Sequence, residues 1–418
     1  MTSDPGTTAQ SLPTLRRRDS AAIRLMLALA KRLQRGRLDI ILPDGRQRSF
    51  RGPEPGPSAQ LTVHRPRFIR RMLMGGALGF GEAYIDGDVD SADPAKLLEL
   101  TAHNEAVLRT ILEGRPWARA MAKASRMLRP NTRRGARQNV AAHYDLGNDF
   151  YAAWLDDSMT YSSAVFAEPD DDLVRAQHEK YRRIADLAAL RPEHHVLEIG
   201  CGWGGFAAYA AEVIGCRVTA LTISEAQYDH ARARIAAAGL DDRVTIAFRD
   251  YRDETATYDR IVSIEMIEAV GEAWWGTYFR QLNDRLAAGG RAVIQAITMD
   301  DAMFPSYRRG VDFIQRYIFP GGMLLSPSIL SDQAERAGLS PAERASYGAH
   351  YAETLRRWRD QFESAWPRVH ALASDRFDER FRRLWRYYLA YCEAGFTEGR
   401  LNVVQAAFDR PGPGGAVQ

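Results

Sequence analysis

Glycines between residues 196 and 207 are the first residues whose spacing suggests chemistry. Gly200, Gly202 and Gly205 fit the pattern G-x-G-x-x-G of dinucleotide sites. Gly200, Gly202 and Gly204 fit the nucleoside turn of enzymes that use S-adenosylmethionine (SAM) equally well. Apolar residues precede the turn and helix formers follow it, so the free N–H groups of a helix N-terminus would face a bound ligand. A turn that only packs helix on strand explains three clustered glycines less well.

The end of the next strand discriminates between the two ligands. Residues 217–221 read as a buried strand that ends at Thr222, where a dinucleotide fold would usually carry an acid for the ribose. Glu225 lies near the expected separation but three residues past that end. SAM is therefore favoured, and a nicotinamide dinucleotide (NAD) stays as the alternative.

Alternating strands and helices must position this turn. Hydrophobic runs predict strands at residues 196–199, 217–221, 244–248, 260–264 and 291–297, with helices at 173–190, 225–238 and 275–286. This order predicts an α/β fold with a doubly wound, mostly parallel, Rossmann-like sheet and a ligand over the C-terminal ends of its strands. Apolar residues recur at helical spacing over 377–393, which predicts either core or the wall of an apolar substrate channel.

The length of 418 residues predicts more than one domain. We expect disordered tails at 1–20 and 411–418, a small mixed α+β lipid-binding-like domain at 21–112, a linker at 113–140 and the main domain at 141–410. Within the small domain, the expected elements are strands over 38–45, which includes its turn, and 60–64, helices over 68–74 and 95–112, and a glycine-punctuated segment at 78–89.

The segment from Arg109 to Arg137 contains nine basic residues and one acid, Glu113, interleaved with apolar side chains. Such a linker can lie on an anionic lipid surface, or it can be solvated. No nucleic-acid-binding motif accompanies it, so nucleic acid is not expected as a partner.

The cysteines and the apolar segments indicate the cellular compartment and whether a structural metal is expected. Cys201, Cys216 and Cys392 lack metal-ligand spacing, so we expect no structural metal and a reducing cytoplasm. Residues 21–33 resemble an amphipathic helix more than a signal peptide because Arg24 interrupts the apolar run. No stretch approaches the roughly 20 apolar residues that a membrane span requires.

Several segments in this order resemble the cyclopropane-fatty-acyl-phospholipid synthase family, which includes the mycolic acid cyclopropane synthases. They are residues 143–151, 159–166, the helix with Gln177 and Lys180, 196–206, 221–228, 263–271, 317–322, 350–355 and 387–405. The resemblance covers essentially residues 141–408. It implies SAM as the methyl donor and the unsaturated acyl chain of a membrane phospholipid as the acceptor.

The resemblance also implies roles for individual residues. Tyr161 and Ser162 would contact SAM together with the glycine turn, and Thr222 and Gln227 would hold its ribose. Asp250, which follows the third strand, would accept a hydrogen bond from the adenine amino group, although an ordinary loop acid explains it equally well. An acyl channel would be lined by aromatic side chains and a cysteine, namely Tyr317, Phe319, Tyr388 and Cys392.

In this family a cysteine, a glutamate, a histidine and a tyrosine hold a bicarbonate ion that acts as the base. Glu268 matches the glutamate, and it follows the fourth strand at the ligand edge of the sheet. Tyr351 matches the tyrosine. Ser163 and Gln295 stand in place of the cysteine and the histidine, and both can donate hydrogen bonds to an anion. Bicarbonate is therefore expected as a possible second cofactor.

The proton that leaves determines the product. Loss from the added methyl group closes a cyclopropane ring, and loss from a neighbouring chain carbon gives a methylene, methyl-branched or furan-precursor chain. We expect ring closure, with the open-chain products as the alternative because of Ser163 and Gln295. Two alternatives belong to other functional classes: a catalytically silent lipid-binding protein and an NAD-dependent oxidoreductase. A homodimer at the inner membrane face and a separate reductase are the expected partners.

Overall fold

The computed structural model describes residues 20–105 and 146–412. The tail before Ser20, the basic linker at 113–140 and residues 413–418 lie outside this part of the chain, so the expectations for them stay predictions. The expected helix over 95–112 is described as far as residue 105.

A four-stranded sheet with the order β2-β1-β3-β4 forms the N-terminal part of the protein. Ile40, Leu61 and Val63 of this sheet are buried against the helices that cover it. The expected small α+β region is confirmed. Its elements are α1 (Ala21–Ala30), β1 (Arg35–Ile41), β2 (Gln47–Arg51), β3 (Glu54–Val63), α2 (Arg67–Ile85), β4 (Val89–Asp90) and α3 (Pro94–His103).

The glycine-punctuated segment at 78–89 is mostly helical, which the sequence did not indicate. Helix α2 breaks at Gly76, where φ is 59°, and then continues to Ile85. A Cβ atom at Gly81 would lie 3.0 Å from ring atoms of both Phe313 and Tyr387. The glycine therefore allows α2 to pack closely against aromatic side chains from the C-terminal part of the chain.

A seven-stranded sheet with the order β10-β11-β9-β8-β5-β6-β7 forms the second part. The first five of its strands in chain order are parallel to one another, and β11 pairs antiparallel with β9 on one side and with β10 on the other. The expected doubly wound, mostly parallel sheet is confirmed. The strands are β5 (His195–Ile199), β6 (Arg217–Thr222), β7 (Val244–Phe248), β8 (Tyr258–Ile264), β9 (Leu286–Met299), β10 (Ser340–Ser346) and β11 (Leu401–Asp409).

Strand order reverses at β5, since the chain runs outward from β5 to β7 and then returns to β8 on the other side of β5. A crevice opens over the C-terminal strand ends at such a reversal, which is where ligands bind in open α/β sheets. Strand β9 is longer than the predicted 291–297 at both ends, since Leu286 pairs with Tyr258 of β8 and Met299 pairs with Leu401 of β11. The sequence pattern of β9 alone does not contain that long-range pairing.

Ten helices accompany the second sheet among the residues from 146 onward. They are α4 (Asn148–Ala152), α5 (Leu173–Leu187), α6 (Gly205–Tyr209), α7 (Glu225–Ala237), α8 (Trp275–Arg285), α9 (Phe304–Tyr307), α10 (Phe313–Tyr317), α11 (Pro327–Arg336), α12 (Gly348–Leu372) and α13 (Glu379–Thr397). Short π and 3-10 turns complete the connections.

Helix α13 carries the aromatic stripe and joins the two parts of the protein. The ring of Trp385 lies 5.0 Å from that of Phe150 and 5.6 Å from that of Phe381, and it is almost completely buried. On another face, the ring of Tyr387 lies 5.2 Å from that of Tyr84 in α2. The stripe is therefore core on the side that faces Phe150, and it supports the N-terminal part on the side that faces Tyr84.

Arg383 makes the most extensive polar contact between α13 and the N-terminal part. Its guanidinium donates to the carbonyl of Tyr84 at 2.7 Å, to the carbonyl of Val89 at 2.6 Å and to the carboxylate of Asp90 at 2.9 Å. It also lies over the Tyr84 ring, 4.6 Å from the centroid. Because the side chain is 14% exposed, water cannot easily replace these partners.

We predict that Arg383→Ala lowers the free energy of unfolding by about 2 kcal/mol, since hydrogen bonds to charged groups contribute at that level when both partners are shielded. Arg380→Ala is the matched control, because Arg380 pairs with Asp86 from a side chain that is 62% exposed, and it should cost under about 0.5 kcal/mol. Urea denaturation measures both. Equal losses in the two variants would contradict the assigned role of Arg383.

Candidate active site

A cavity of about 190 Å³ lies over the C-terminal ends of β5, β6 and β8. Seven of the eight residues predicted to contact the cofactor line it: Tyr161, Ser162, Gly200, Gly202, Thr222, Gln227 and Asp250. The eighth, Gly204, caps α6 with a φ of 85°, and a Cβ atom there would lie 3.1 Å from the Cβ of Ala231. Gly204 is thus required for the turn and for helix packing rather than as part of the cavity wall.

The glycine turn between β5 and α6 is held by the neighbouring strand. The backbone N–H groups of Gly200 and Cys201 donate to the carbonyl of Leu221 at 3.1 and 2.9 Å. Gly200 and Gly202 have φ values of 84° and 52°, which side chains rarely adopt. A Cβ atom at Gly202 would meet nothing within 4 Å, so the backbone there borders open space that a ligand can approach closely.

Polar side chains at or just after the ends of β6 and β7 form one wall of this cavity. The hydroxyl of Thr222 donates to the side-chain oxygen of Gln227 at 3.0 Å, which orients the amide. The carboxylate of Asp250 accepts from the guanidinium of Arg252 at 2.6 and 2.9 Å. Their proposed contacts to ribose and adenine stay predictions, and for Asp250 they would have to coexist with the Arg252 pair.

A buried lysine supports the wall of this cavity at Ser162, and the sequence alone does not indicate a role for it. Lys180 is completely buried on α5, and its ammonium donates to the hydroxyl of Ser162 at 2.6 Å. Burial lowers the pKa of Lys180 to about 7. Burial also raises the pKa of Glu198, at the end of β5, to about 8, although the charge of Lys180 opposes this shift. In the sequence, Gln177 and Lys180 are marked by the segment that resembles the family, and in the structure both lie buried one turn apart on α5.

A second cavity of about 640 Å³ lies between the N-terminal part and the C-terminal helices, and most of its lining is apolar. Three of the four residues predicted for an acyl channel, Phe319, Tyr388 and Cys392, line it. Tyr317 is not in its lining, which corrects that expectation. Its hydroxyl donates to the carboxylate of Glu82 at 2.7 Å, so the side chain of Tyr317 points toward α2.

The two cavities share three lining residues, Tyr161, Glu265 and Ala269. Glu265 follows directly after β8, and its carboxylate accepts from the backbone N–H of Ser163 at 2.8 Å, from the amide of Gln295 at 2.8 Å and from the hydroxyl of Tyr351 at 3.1 Å. Burial raises its pKa, and these hydrogen bonds and the charge of Lys180 oppose the rise. Its position directly after β8, at the ligand edge of the sheet, marks Glu265 as a candidate site residue in the same way as Glu268, but only Glu268 was predicted.

Glu268 lies in the lining of the larger cavity. One carboxylate oxygen accepts from the backbone N–H of Ile297 at 2.6 Å. The other oxygen is buried without a hydrogen-bond partner among the described residues. Burial, and then the nearby charge of Glu265, raises the pKa of Glu268 to about 8.

The four residues predicted to hold bicarbonate converge, but around a carboxylate of the chain itself. Gln295 and Tyr351 donate their side-chain hydrogens to Glu265, and the hydroxyl of Ser163 donates to the carbonyl of Ala164 at 3.0 Å. Glu268 contributes a further carboxylate. A bicarbonate ion would find these donors occupied and two buried carboxylates beside it, so the residues present do not fit that ion.

Within the described ranges, no group of three or more His, Cys, Asp or Glu side chains could hold a metal ion. Over the same ranges, no helix has both the length and the apolar character to cross a membrane.

We predict that Glu268→Gln stabilises the fold increasingly as pH rises from about 4.5 to about 8. Over this interval the unfolded chain releases the Glu268 proton while the folded chain retains it, so wild-type stability falls by up to about 1.4 kcal/mol per pH unit. Urea unfolding at pH 5 and pH 8 measures the difference. Glu335→Gln, at an exposed site, is the control. A Glu268→Gln stability difference that does not change with pH would contradict the burial of an ionisable Glu268.

Comparison with known proteins places the chain in one group. The family described as mycolic acid cyclopropane synthetase matches residues 131–406. Tuberculostearic acid methyltransferase UfaA1 of Mycobacterium tuberculosis is 42% identical over 90% of this chain and 88% of its own length. Cyclopropane-fatty-acyl-phospholipid synthase of Escherichia coli K12 is 34% identical over 84% of this chain and 88% of its own.

A solved structure shares the fold. Mycolic acid cyclopropane synthase CmaA1, complexed with SAH and CTAB, superposes with a TM-score of 0.61 and 29% sequence identity. The superposition covers 68% of this chain and 99% of the other.

Proposed function

Because the chain belongs to the mycolic acid cyclopropane synthetase family, we propose that it methylates the double bond of an unsaturated acyl chain in a membrane phospholipid. It is a SAM-dependent methyltransferase of the fatty acid methyltransferase and cyclopropane synthase type. This membership sets aside the NAD alternative. The observation that carries the proposal is the meeting, at Glu265, of a small cavity that includes the glycine turn and several polar side chains with a large apolar cavity.

The smaller cavity fits SAM by its chemistry. Gly202 leaves room for close approach, and the oriented Thr222–Gln227 pair can bond the ribose hydroxyls. One oxygen of Glu198 lines this cavity and lacks a hydrogen-bond partner among the described residues, so a ligand ammonium group would complete it. When bound, SAM supplies a methyl group activated by a positively charged sulfur.

The residues of the chain would then provide positioning and a dry site for a weak nucleophile. An isolated alkene reacts only if it is held in line with the methyl group, and burial of the reacting atoms removes competing water. The rings of Tyr161, Phe319 and Tyr388 can face the positive charge that develops on the chain. The hydroxyls of Tyr161 and Tyr388 lie 2.7 Å apart, which fixes both rings.

The products differ in how the positive charge on the acyl chain is lost. Proton loss from the added methyl group closes a ring, and proton loss from a neighbouring chain carbon leaves a methyl-branched alkene. A methylene group requires a hydride shift before the methyl group loses its proton, and a saturated branched chain requires the separate reductase.

The sequence reasoning expected a cyclopropane ring, and several relatives are named for that product. The relative at 42% identity is named as a tuberculostearic acid methyltransferase and not as a cyclopropane synthase. The changed base environment around Ser163 and Gln295 also favours a different proton. We therefore place the open-chain methylene or methyl-branched product ahead of the ring for this protein.

We propose further that the protein acts at the cytoplasmic membrane surface, since its acceptor lies in a bilayer and a basic linker joins its two parts. A homodimer and a separate reductase stay predictions. The contacts of Glu265 disfavour the catalytically silent lipid-binding protein. A protein that only carries lipid does not require a buried carboxylate held by three hydrogen-bond donors.

We predict that Thr222→Val weakens SAM binding about tenfold, because the variant removes one hydroxyl and leaves the buried amide of Gln227 without its partner. Thr245→Val makes the same change at an exposed position of β7 and should leave SAM affinity unaltered. Isothermal titration calorimetry measures both. No detectable SAM binding by the wild type would favour the silent lipid-binding protein.

Expression in a host that makes monounsaturated phospholipids tests the reaction itself. We predict acyl chains heavier by one CH₂ unit in mass spectrometry, with vinylidene or branched-methyl proton signals rather than upfield ring signals in NMR. Upfield ring signals would instead identify the cyclopropane as the product. Unaltered lipids, together with a folded protein that binds SAM, would refute methylation of phospholipid acyl chains.

A further inference from the structure

We infer that Glu265 is the base of this reaction and that the enzyme works without a bicarbonate ion. The inference rests on the proposed function and deepens it, because it names the group that receives the proton. It starts from the position of the Glu265 side chain, which lines both cavities at the place where methyl donor and acyl chain must meet.

Three donors from three separate segments hold the Glu265 carboxylate in one orientation. They are the backbone N–H of Ser163, the amide of Gln295 on β9 and the hydroxyl of Tyr351 on α12. The amide of Gln295 is itself fixed, since its oxygen accepts from Gln405 on β11 at 2.9 Å. Such a set of donors stabilises one anion in a buried site, and the anion that it binds here is a side chain of the same protein.

The backbone at Glu265 supports a functional reason for this side chain. Its φ is 48°, in the left-handed region where residues other than glycine are strained by about 1–2 kcal/mol. Among the described non-glycine residues, only Met159, Ala189 and Glu265 have positive φ. Glycine would relieve the strain, yet a glutamate stands there and its carboxylate reaches the junction of the cavities.

Charges around the junction also disfavour a free anion. Two charged groups are coupled to Glu265. The charge of Lys180, which is buried behind Ser162, opposes the rise in the pKa of Glu265, and the charge of Glu265 raises the pKa of Glu268, which shares the larger cavity. Adding bicarbonate would bring a second negative charge beside the Glu265 carboxylate, into a space where burial and the charge of Glu265 already raise the pKa of Glu268 to about 8. It would also have to displace Glu265 from its three donors.

The reaction step then balances without another reactant. The π pair of the acyl double bond forms the new C–C bond to the methyl carbon as the C–S bond breaks, and that pair stays on sulfur. The positive charge passes to the acyl chain. Glu265 removes one proton and becomes a neutral carboxylic acid, and the C–H pair becomes either the last ring bond or a new C=C bond.

Two substitutions at this position test the inference. Glu265→Gln keeps the shape but removes the base, so we expect turnover to fall at least about 100-fold while SAM affinity measured by calorimetry stays within about twofold. Glu265→Gly suits the local backbone and leaves the donors of Ser163, Gln295 and Tyr351 facing a space that can accept a small anion. We expect added bicarbonate to restore turnover of this variant at least about tenfold.

Binding of ¹³C-labelled bicarbonate, followed by NMR, gives a readout that is independent of turnover. We expect the label to bind Glu265→Gly and not the wild type, and wild-type turnover to be unchanged in CO₂-free buffer. Wild-type turnover that requires bicarbonate, or Glu265→Gln with wild-type turnover, would overturn the inference. Failure of the proposed function looks different, since the wild type would then leave acyl lipids unmethylated in every buffer.

Discussion

Two buried carboxylates, Glu265 and Glu268, set the main constraint on this protein. A buried charge without a full counter-charge costs several kcal/mol, and here two such groups lie close enough that the charge of one raises the pKa of the other. The surrounding residues offset part of this cost by hydrogen bonding. A positive charge at the junction would offset the rest, which agrees with the cationic stages of the proposed alkene methylation.

The rest of the fold brings two different cavities together at that junction. The reversal of strand order at β5 opens a crevice over the sheet that polar side chains line in part, and the glycine turn lets a ligand approach its backbone. Helix α13 and the N-terminal part enclose the apolar cavity on the other side. Both parts of the chain line the larger cavity, and contacts such as those of Arg383 join these two parts.

Features that depend on local pattern could be predicted from the sequence. The parallel strands and the glycine turn follow from periodicity and from the rule that ligands bind at strand ends. The other residues of the cofactor cavity were indicated by the resemblance to the family. Other features depend on which distant segments meet. The direction of Tyr317, the length of β9 and the pairing of Glu265 with Ser163, Gln295 and Tyr351 each require a partner more than 20 residues away. The helical conformation at Gly79 and Gly81 likewise depends on tertiary packing, which overrides the weak helix propensity of glycine.

The most direct measurement of the central claim is a crystal structure with S-adenosylhomocysteine and an acyl phospholipid bound together. The account predicts the sulfur atom in the smaller cavity, directed toward Glu265, and the middle carbons of the acyl chain beside the same carboxylate in the larger cavity. An acyl chain bound outside the larger cavity, or a sulfur atom directed away from Glu265, would contradict it.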